Sequence, residues 1–218
     1  GTEFTSQTVS VPIIDNEVEP SVILLVGSDI IGEDTGTTST TVTAKLDKVS
    51  GKVVTVGLLF AGTANKSPVT PDTIDYTATS TITIPIGAIE ATITLSAASD
   101  LLDEDNETVI IAIDTVQNGV ILNTQQQTVA ITDDDVIPTV FLSVGAQNIG
   151  EDLGTTKTDV IVTLSAVAGR PVTVTLLKSG IAIENIDYTL NGTIVIPTGF
   201  PSAKATLSAM SDTLDEID

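Results

Sequence analysis

The sequence contains no cysteine, no histidine and no tryptophan, and aromatic residues make up only 3% of its 218 positions. Without cysteine the chain has no disulfide framework and no thiolate ligand for zinc. Without histidine it lacks the commonest transition-metal ligand and the usual general base of enzymes. Any metal ion that this chain binds must therefore be held by oxygen atoms.

Positive charge is also scarce, since eight Lys and Arg residues stand against 29 Asp and Glu residues, for a formal net charge of −21 at pH 7. This charge repels nucleic acids and anionic membranes, so neither is expected as a partner, whereas cations and basic partners remain. No run of about 18 apolar residues occurs, so we expect no membrane insertion of this segment.

The hydrophobic content of 41% is enough for two domains of about 100 residues each, with cores built from Val, Ile, Leu and Ala. Apolar and polar residues alternate in runs such as Thr81 to Ile84 and Thr173 to Leu176, which is the period of a half-buried strand. In the first half of the chain we predict strands at Ser21 to Val26, Thr40 to Leu46, Val53 to Phe60, Ser80 to Ile84, Ala91 to Ala97, Thr108 to Val116 and Gln127 to Thr132. Seven short strands with turns between them predict an all-β fold, an antiparallel β-sandwich of immunoglobulin-like architecture.

The chain is a tandem repeat. The segment from Ile149 to Thr156 matches the segment from Ile31 to Thr38, 118 positions earlier. Later matches, such as Asp187-Tyr188 with Asp75-Tyr76, lie only 112 positions apart, which places a six-residue insertion in the first copy, around residues 65–72. Repeats of this length are domains rather than solenoid units.

Carboxylates crowd two short segments, Asp100 to Glu107 and Asp133 to Asp135. So many negative charges repel one another unless a cation lies among them, and hard oxygen ligands are those that Ca²⁺ takes. A solvated acidic loop is the alternative reading for a single run.

The predicted topology favours calcium, because the first, third and fifth loops of such a sandwich share one end with the exit of the last strand. This end, the acidic pole, would gather eight carboxylates. They are Glu33, Asp75, Asp100, Glu104, Glu107, Asp133, Asp134 and Asp135.

These motifs together resemble the Calx-beta domain, known from sodium–calcium exchangers, integrin beta-4 and bacterial surface proteins. The resemblance rests on Gly32-Glu33, Ile74-Asp75-Tyr76, Ile84-Pro85-x-Gly87, Asp100-x-x-x-Glu104-x-x-Glu107 and Asp133-Asp134-Asp135. It implies that these eight acids match calcium ligands of the family, and that the second repeat keeps Glu151, Asp187, Asp212 and Glu216.

The expected organisation has five parts. Residues 1–4 are interpreted as a cloning scar, residues 5–20 as the last strand (Val9 to Ile14) and acid run of a preceding repeat, 21–135 as a complete domain, 136–138 as a linker and 139–218 as an incomplete second domain. Open strand edges in the second domain predict strand-mediated association with another chain.

We expect a calcium-binding structural repeat of a long secreted or cell-surface protein, such as a bacterial adhesin, whose partners are neighbouring repeats and a host or environmental protein or glycan. A regulatory calcium sensor and a calcium-dependent glycan- or protein-binding module are the alternatives. We expect no enzyme, because paired carboxylates of a glycosidase normally work beside aromatic sugar platforms, which are scarce here. Arg170 is predicted to be a surface residue, and Asp34, Asp103, Asp105 and Asp152 to face solvent or to support the ligands from outside.

Overall fold

The structure is a computed structural model that describes residues 8–66, 74–123, 125–152 and 154–213. Within these ranges it contains sixteen strands and no helix, so the all-β prediction is confirmed. No helix in the described ranges has the length and apolar character needed to cross a membrane. The predicted scar at residues 1–4, most of the predicted insertion and Glu216 lie outside the described residues.

The first repeat consists of two five-stranded sheets that pack face to face. Its strands are β1 (Ser21–Val26), β2 (Ile30–Gly32), β3 (Ser39–Leu46), β4 (Val54–Gly62), β5 (Tyr76–Ala78), β6 (Thr81–Ile84), β7 (Glu90–Ala97), β8 (Glu107–Gln117), β9 (Val120–Ile121) and β10 (Gln126–Thr132). One sheet has the order β5-β7-β3-β1-β9 and the other the order β2-β10-β8-β4-β6.

Alternating side chains build the core between these sheets. In β3 the buried positions are every second residue, from Thr40 to Leu46, and in β4 they are Val54, Val56 and Leu58. Tyr76 is buried as well, with its ring centroid 6.0 Å from that of Phe60. The period of two in the sequence therefore identifies the faces that meet in the core.

All seven strands predicted for the first repeat are present, and three short strands, β2, β5 and β9, accompany them. The sandwich is antiparallel apart from two short pairs, since β1 pairs with β9 and β10 pairs with β2 in parallel. After β1 the chain crosses from one sheet to the other at Gly27 to Asp29, and β2 then runs beside the exit strand in the same direction. Two or three residues are too few to show a period in sequence.

The second repeat reproduces part of this pattern. Its strands are β11 (Val140–Val144), β12 (Lys157–Leu164), β13 (Val172–Thr175), β14 (Tyr188–Thr189), β15 (Thr193–Ile196) and β16 (Ser202–Ala209). They form a sheet of order β11-β12-β16-β14 and the pair β13-β15, which correspond in the same order to β1-β3-β7-β5 and β4-β6. Among the described residues this repeat has no counterparts of β8 and β10.

Strand β11 is more exposed than its counterpart β1. Val22 and Leu24 of β1 are 0% and 1% exposed, whereas Val140 and Leu142, which occupy the same positions 118 residues later, are 40% and 62% exposed. In the first repeat β8 and β10 lie across the core from β1. The same residue types thus lose their cover where those strands have no counterpart.

Residues 9–14 do not form the predicted strand. No backbone pairing is described for them, and Val9, Val11, Ile13 and Ile14 are all exposed. A strand requires a neighbour to satisfy its N–H and C=O groups, and this segment has none among the described residues.

We predict that β11 exchanges its backbone amide hydrogens faster than β1 in dilute solution, because opening β11 exposes little apolar surface that is not already exposed. Hydrogen exchange read at the matched residues Leu24 and Leu142 checks this. If a second copy adds its segment Val9 to Ile14 to the open edge, protection of β11 will rise with protein concentration. Equal protection of both strands in a protein that stays monomeric by light scattering would contradict the prediction.

Candidate metal centre

Glu33 is placed by a tight turn that follows β2. The Gly32 amide donates to the Thr37 carbonyl at 2.9 Å, and a Cβ atom on Gly32 would lie only 2.5 Å from the Thr35 carbonyl oxygen, so a side chain there would clash with backbone. The Glu33 amide donates to the carbonyl of Thr132, the last residue of β10, at 3.3 Å. The segment between β2 and β3 (residues 33–38), which we call the first loop, is thereby fixed beside β10, the exit strand.

The loop between β7 and β8 (residues 98–106), the fifth loop of the predicted seven-strand sandwich, is called the fifth loop here. It is tied to the same exit strand, β10, through Asp133. Asp133 Oδ1 accepts a hydrogen bond from the Glu104 amide at 3.2 Å, and the Asp133 amide donates to Asn106 Oδ1 at 3.0 Å. Within the loop, Asp100 Oδ1 accepts from the Leu102 amide at 2.8 Å. These contacts bring three segments that are distant in sequence to one pole.

Three carboxylates meet where the first loop and the exit segment come together. One oxygen each from Glu33, Asp133 and Asp135 lies within 4.8 Å of the other two. Ca²⁺ binds oxygens at about 2.3–2.6 Å, so two ligands of one ion lie up to roughly 5 Å apart. The three side chains therefore fit a shared cation, and we call them the acid triad.

Asp135 gives a second indication of a cation. Its Oδ2 is buried and has no hydrogen-bond partner in the described part of the chain. A buried carboxylate oxygen without a donor is costly, because it has lost its water and gained nothing in return. A metal ion or a proton would restore the balance.

The charges of the acid triad strongly oppose one another. Two full charges at 4.8 Å repel by about 3 kcal/mol at an effective dielectric constant of about 20. Burial, followed by the charges of Asp133, Asp100, Asp135 and Asp75, raises the pKa of Glu33 to about 7. Burial also raises the pKa values of Asp133 and Asp135. Without a cation Glu33 is therefore partly protonated near neutral pH.

The other acids predicted for the pole have different surroundings. Asp75 is buried, its Oδ2 accepts a hydrogen bond from the Asn65 amide, and its charge and that of Asp100 act on Glu33 from the same pole. Asp134 is exposed and accepts a hydrogen bond from the Thr35 hydroxyl, which ties the first loop to the exit segment. Glu107 is the first residue of β8, and Glu104 lies against the second repeat.

The second repeat has the same turn before its first acid, but its described residues contain no group of three carboxylates like the acid triad. The Gly150 amide donates to Thr155 at 2.9 Å, as Gly32 does to Thr37, so Glu151 follows the same turn as Glu33. Asp187 Oδ2 accepts from the Ile183 amide at 2.6 Å, and Asp212 is exposed. Among the described residues the acid triad is the only group of this kind, and Glu216 lies outside them.

Arg170 lies at the surface, as predicted, with its side chain 37% exposed, but it also bonds the first repeat. Its Nη2 and Nε donate to Asp103 at 2.7 and 3.2 Å, and its Nη1 donates to Asp105 at 2.9 Å. Asp103 is only 2% exposed and accepts from Arg170, so of its two predicted positions the solvent-facing one does not apply. These bonds raise the pKa of the Arg170 guanidinium.

Backbone contacts reinforce this junction between the repeats. The Gly169 amide donates to the Asp103 carbonyl at 3.1 Å, and Ala168 pairs with Asp103 as an isolated bridge. A Cβ atom on Gly169 would lie 2.3 Å from Glu104 Oε1, so the carboxyl of Glu104 fills the space that a larger residue would need. The fifth loop therefore contacts both the acid triad and the second repeat.

No family model matches the sequence, and no curated protein matches it either. Among solved structures, the chain is similar to CBD12 from CALX1.2, with a TM-score of 0.42 and 16% identity over 87% of this chain and 75% of that one. It is similar to calcium binding domain CBD12 of CALX1.1, with a TM-score of 0.41 and 18% identity over 84% and 73% of the two chains. The apo form of the Calx CBD1 domain gives a TM-score of 0.39 and 17% identity over 54% of this chain and 100% of that one.

We predict that, in the absence of divalent cations, the free energy of unfolding falls as pH rises from about 4.5 to about 7. Glu33 has a pKa of about 7 in the folded state against 4.5 for an unperturbed group, so the folded state binds more protons in this window. Urea denaturation in EDTA at a series of pH values measures the slope. Glu33→Gln should flatten it, because Gln does not titrate.

Asp114→Asn is the matched control for charge, since Asp114 is exposed on β8, seven residues beyond Glu107 and thus about 20 Å from it along the strand. This variant should keep the slope of the unmodified chain. If the dependence of unfolding free energy on pH were unchanged in Glu33→Gln, Glu33 would not be the group that binds the extra proton in the folded state.

Proposed function

We propose that this chain is a calcium-binding structural repeat of a long secreted or cell-surface protein, of the bacterial adhesin type, in which Ca²⁺ fixes the arrangement of consecutive domains. The acid triad carries this proposal, because three carboxylate oxygens within 4.8 Å of one another, one acid holding a buried oxygen without a donor, suit a hard cation. The proposal assigns no catalysis to the chain.

Glu33, Asp133 and Asp135 would hold the ion, and Asp75 and Asp100 would add negative potential at the same pole. The ion would supply positive charge that replaces the proton of Glu33. The chain itself supplies a fixed cradle, since the Glu33 amide is bonded to Thr132 and the Asp133 side chain to the Glu104 amide. Little rearrangement is then needed on binding.

The fifth loop supports the link from ion binding to domain arrangement. Its residue Glu104 donates its amide to a triad carboxylate, while the neighbouring Asp103 accepts from Arg170 and Gly169 of the second repeat. An ion that orders this loop would also order the surface to which the second repeat is bonded. The short linker, residues 136–138, with Pro138 buried, further limits the freedom between repeats.

The same coupling favours a second candidate, a regulatory sensor in which calcium changes the angle between repeats. Affinity separates the two, because extracellular modules bind calcium with dissociation constants of about 10⁻⁴–10⁻³ M and sensors at about 10⁻⁷–10⁻⁵ M. Titration calorimetry on the full chain measures this constant directly. We expect a value in the first range.

Calcium should stabilise the first repeat against heat. At 10 mM Ca²⁺ and a dissociation constant of about 10⁻⁴–10⁻³ M, binding to the folded state adds about 1.4–2.7 kcal/mol per ion. For a domain of about 100 residues this shifts the unfolding midpoint by roughly 5–15 °C relative to EDTA. Calorimetric scans with and without calcium measure the shift, and identical midpoints would contradict the proposal.

Asp135→Asn and Glu33→Gln should each remove most of this shift, because each deletes a charged ligand while keeping the shape of the side chain. Asp114→Asn removes the same charge from an exposed position on β8 and should leave the shift intact. If all three variants lost the same part of the calcium-induced shift, the shift would depend on total charge rather than on position. That outcome would count against a specific site.

Arg170 should hold the two repeats in one arrangement. The chain has no cysteine, so spin labels can be attached at Thr92→Cys in β7 and Lys204→Cys in β16, two exposed positions that correspond between the repeats. Pulsed electron paramagnetic resonance should give a narrow distance distribution. Arg170→Met should broaden it, because buried Asp103 loses the guanidinium that neutralises it.

Lys157→Met serves as the control, since Lys157 is exposed at the start of β12, at the opposite end of that strand from the junction. It removes one positive charge from the same repeat and should leave the distribution narrow. A distribution that is equally narrow after Arg170→Met would show that the linker alone sets the arrangement.

A further inference from the structure

The turn of the second repeat that contacts the fifth loop has a counterpart in the first repeat. Ala168-Gly169-Arg170 corresponds to Ser50-Gly51-Lys52, 118 positions earlier. The Gly199 amide donates to the Ala168 carbonyl at 3.0 Å, and the Gly87 amide donates to the Ser50 carbonyl at 3.1 Å. Ala168 and Ser50 are both buried, so the two turns have the same anchoring and each presents a basic residue after a glycine.

The chain also approaches both repeats in the same way. Asp15-Asn16-Glu17-Val18-Glu19-Pro20 lies 118 positions before Asp133-Asp134-Asp135-Val136-Ile137-Pro138, and the proline that ends each segment is buried.

The hydrogen bonds at the two approaches also match. The Ser21 amide donates to the Asp47 side chain at 2.8 Å, and the Thr139 amide donates to the Ser165 side chain at 2.8 Å. Asp47 and Ser165 in turn donate their amides to the carbonyls of Ser21 and Thr139. The connection that positions the second repeat against the first is therefore reproduced in front of the first repeat.

The surroundings of the two turns differ in one respect. The space at Gly169 is filled by Glu104, whereas a Cβ atom on Gly51 would meet nothing within 4 Å. Lys52 Nζ lies 3.4 Å from Asp15 Oδ2, and a cleft beside it is lined by Glu17, Pro20, Val49 and Asn118. An acidic residue thus already faces Lys52 from the segment that corresponds to the exit of the first repeat.

We infer that the turn Ser50-Gly51-Lys52 is a docking surface for the acidic fifth loop of a further domain of the same type, joined in front of Ser21. Gly51 admits the carboxyl of a glutamate, as Gly169 does, and Lys52 bonds the loop's aspartates in the place of Arg170. This inference rests on the proposed array and names its repeating contact. Domains would then follow one another with one fixed geometry, made by a glycine and a basic residue of each domain and the fifth loop of the domain before it.

A chain in which residues 21–138 are duplicated in tandem, with everything else retained, tests the inference. Its second copy then carries Lys52 next to the Asp103 and Glu104 of its first copy. Spin labels at Thr92→Cys in both copies should give the same narrow distance as Thr92→Cys with Lys204→Cys in the unduplicated chain. Lys52→Met in the second copy, or Asp103→Asn in the first, should broaden this distribution, and the double variant should broaden it no further.

Lys48→Met in the second copy is the matched control, because Lys48 is exposed four positions before Lys52, and it should leave the distribution narrow. Titration calorimetry with Ca²⁺ is run on each chain. If the duplicated chain binds calcium but gives a broad distance distribution, the docking surface is overturned and the proposed function stands. If it gives a narrow distribution but binds no calcium, the docking surface stands and the proposed function is overturned. Dimerisation by light scattering together with a broad distribution would assign the turn to a second copy and would also overturn the inference.

Discussion

Repulsion among carboxylates at one pole of the first repeat is the constraint on which the rest of this structure depends. Hydrophobic burial holds the sandwich together, but the same topology that builds the core forces Glu33, Asp133 and Asp135 to within 4.8 Å of one another. Such a group cannot be fully ionised in a partly buried site without a compensating charge, and the pKa of Glu33 near 7 expresses this conflict. Under the proposed function, a bound cation would resolve this conflict and make the pole a source of stability.

The crossing of the chain between sheets is what creates the pole. Because β2 leaves the sheet of β1 and pairs in parallel with β10, the residue after β2 arrives beside the residues after β10. Glu33 and Asp133 are one hundred positions apart in sequence, yet Glu33 donates its amide to Thr132, immediately before Asp133. An entirely antiparallel sandwich would not give this neighbour relation, so the short parallel pair is what places Glu33 beside the exit segment.

Sequence periodicity predicted the long strands of the first repeat, because they bury alternate residues against a large core, and β3 and β4 are clear cases. It did not predict β2, β5 or β9, whose few residues form strands only because a longer neighbour offers hydrogen bonds. The acids of the pole followed from topology, but their division into a triad, hydrogen-bonded supports and a contact with the second repeat depends on side-chain directions that spacing does not encode. Arg170 was missed for a related reason, although aligning it with Lys52 in the first repeat would have marked the position as basic in both copies.

The fifth loop takes part both in the acid triad and in the contact between the repeats. Its Glu104 amide bonds a triad carboxylate, its Glu104 carboxyl occupies the space above Gly169, and its Asp103 is neutralised by Arg170. Any change that moves this loop must therefore alter both the acid triad and the contact between repeats, because a single stretch of backbone serves both. Substitutions in these few residues of the fifth loop are therefore expected to change the acid triad and the contact between the repeats together.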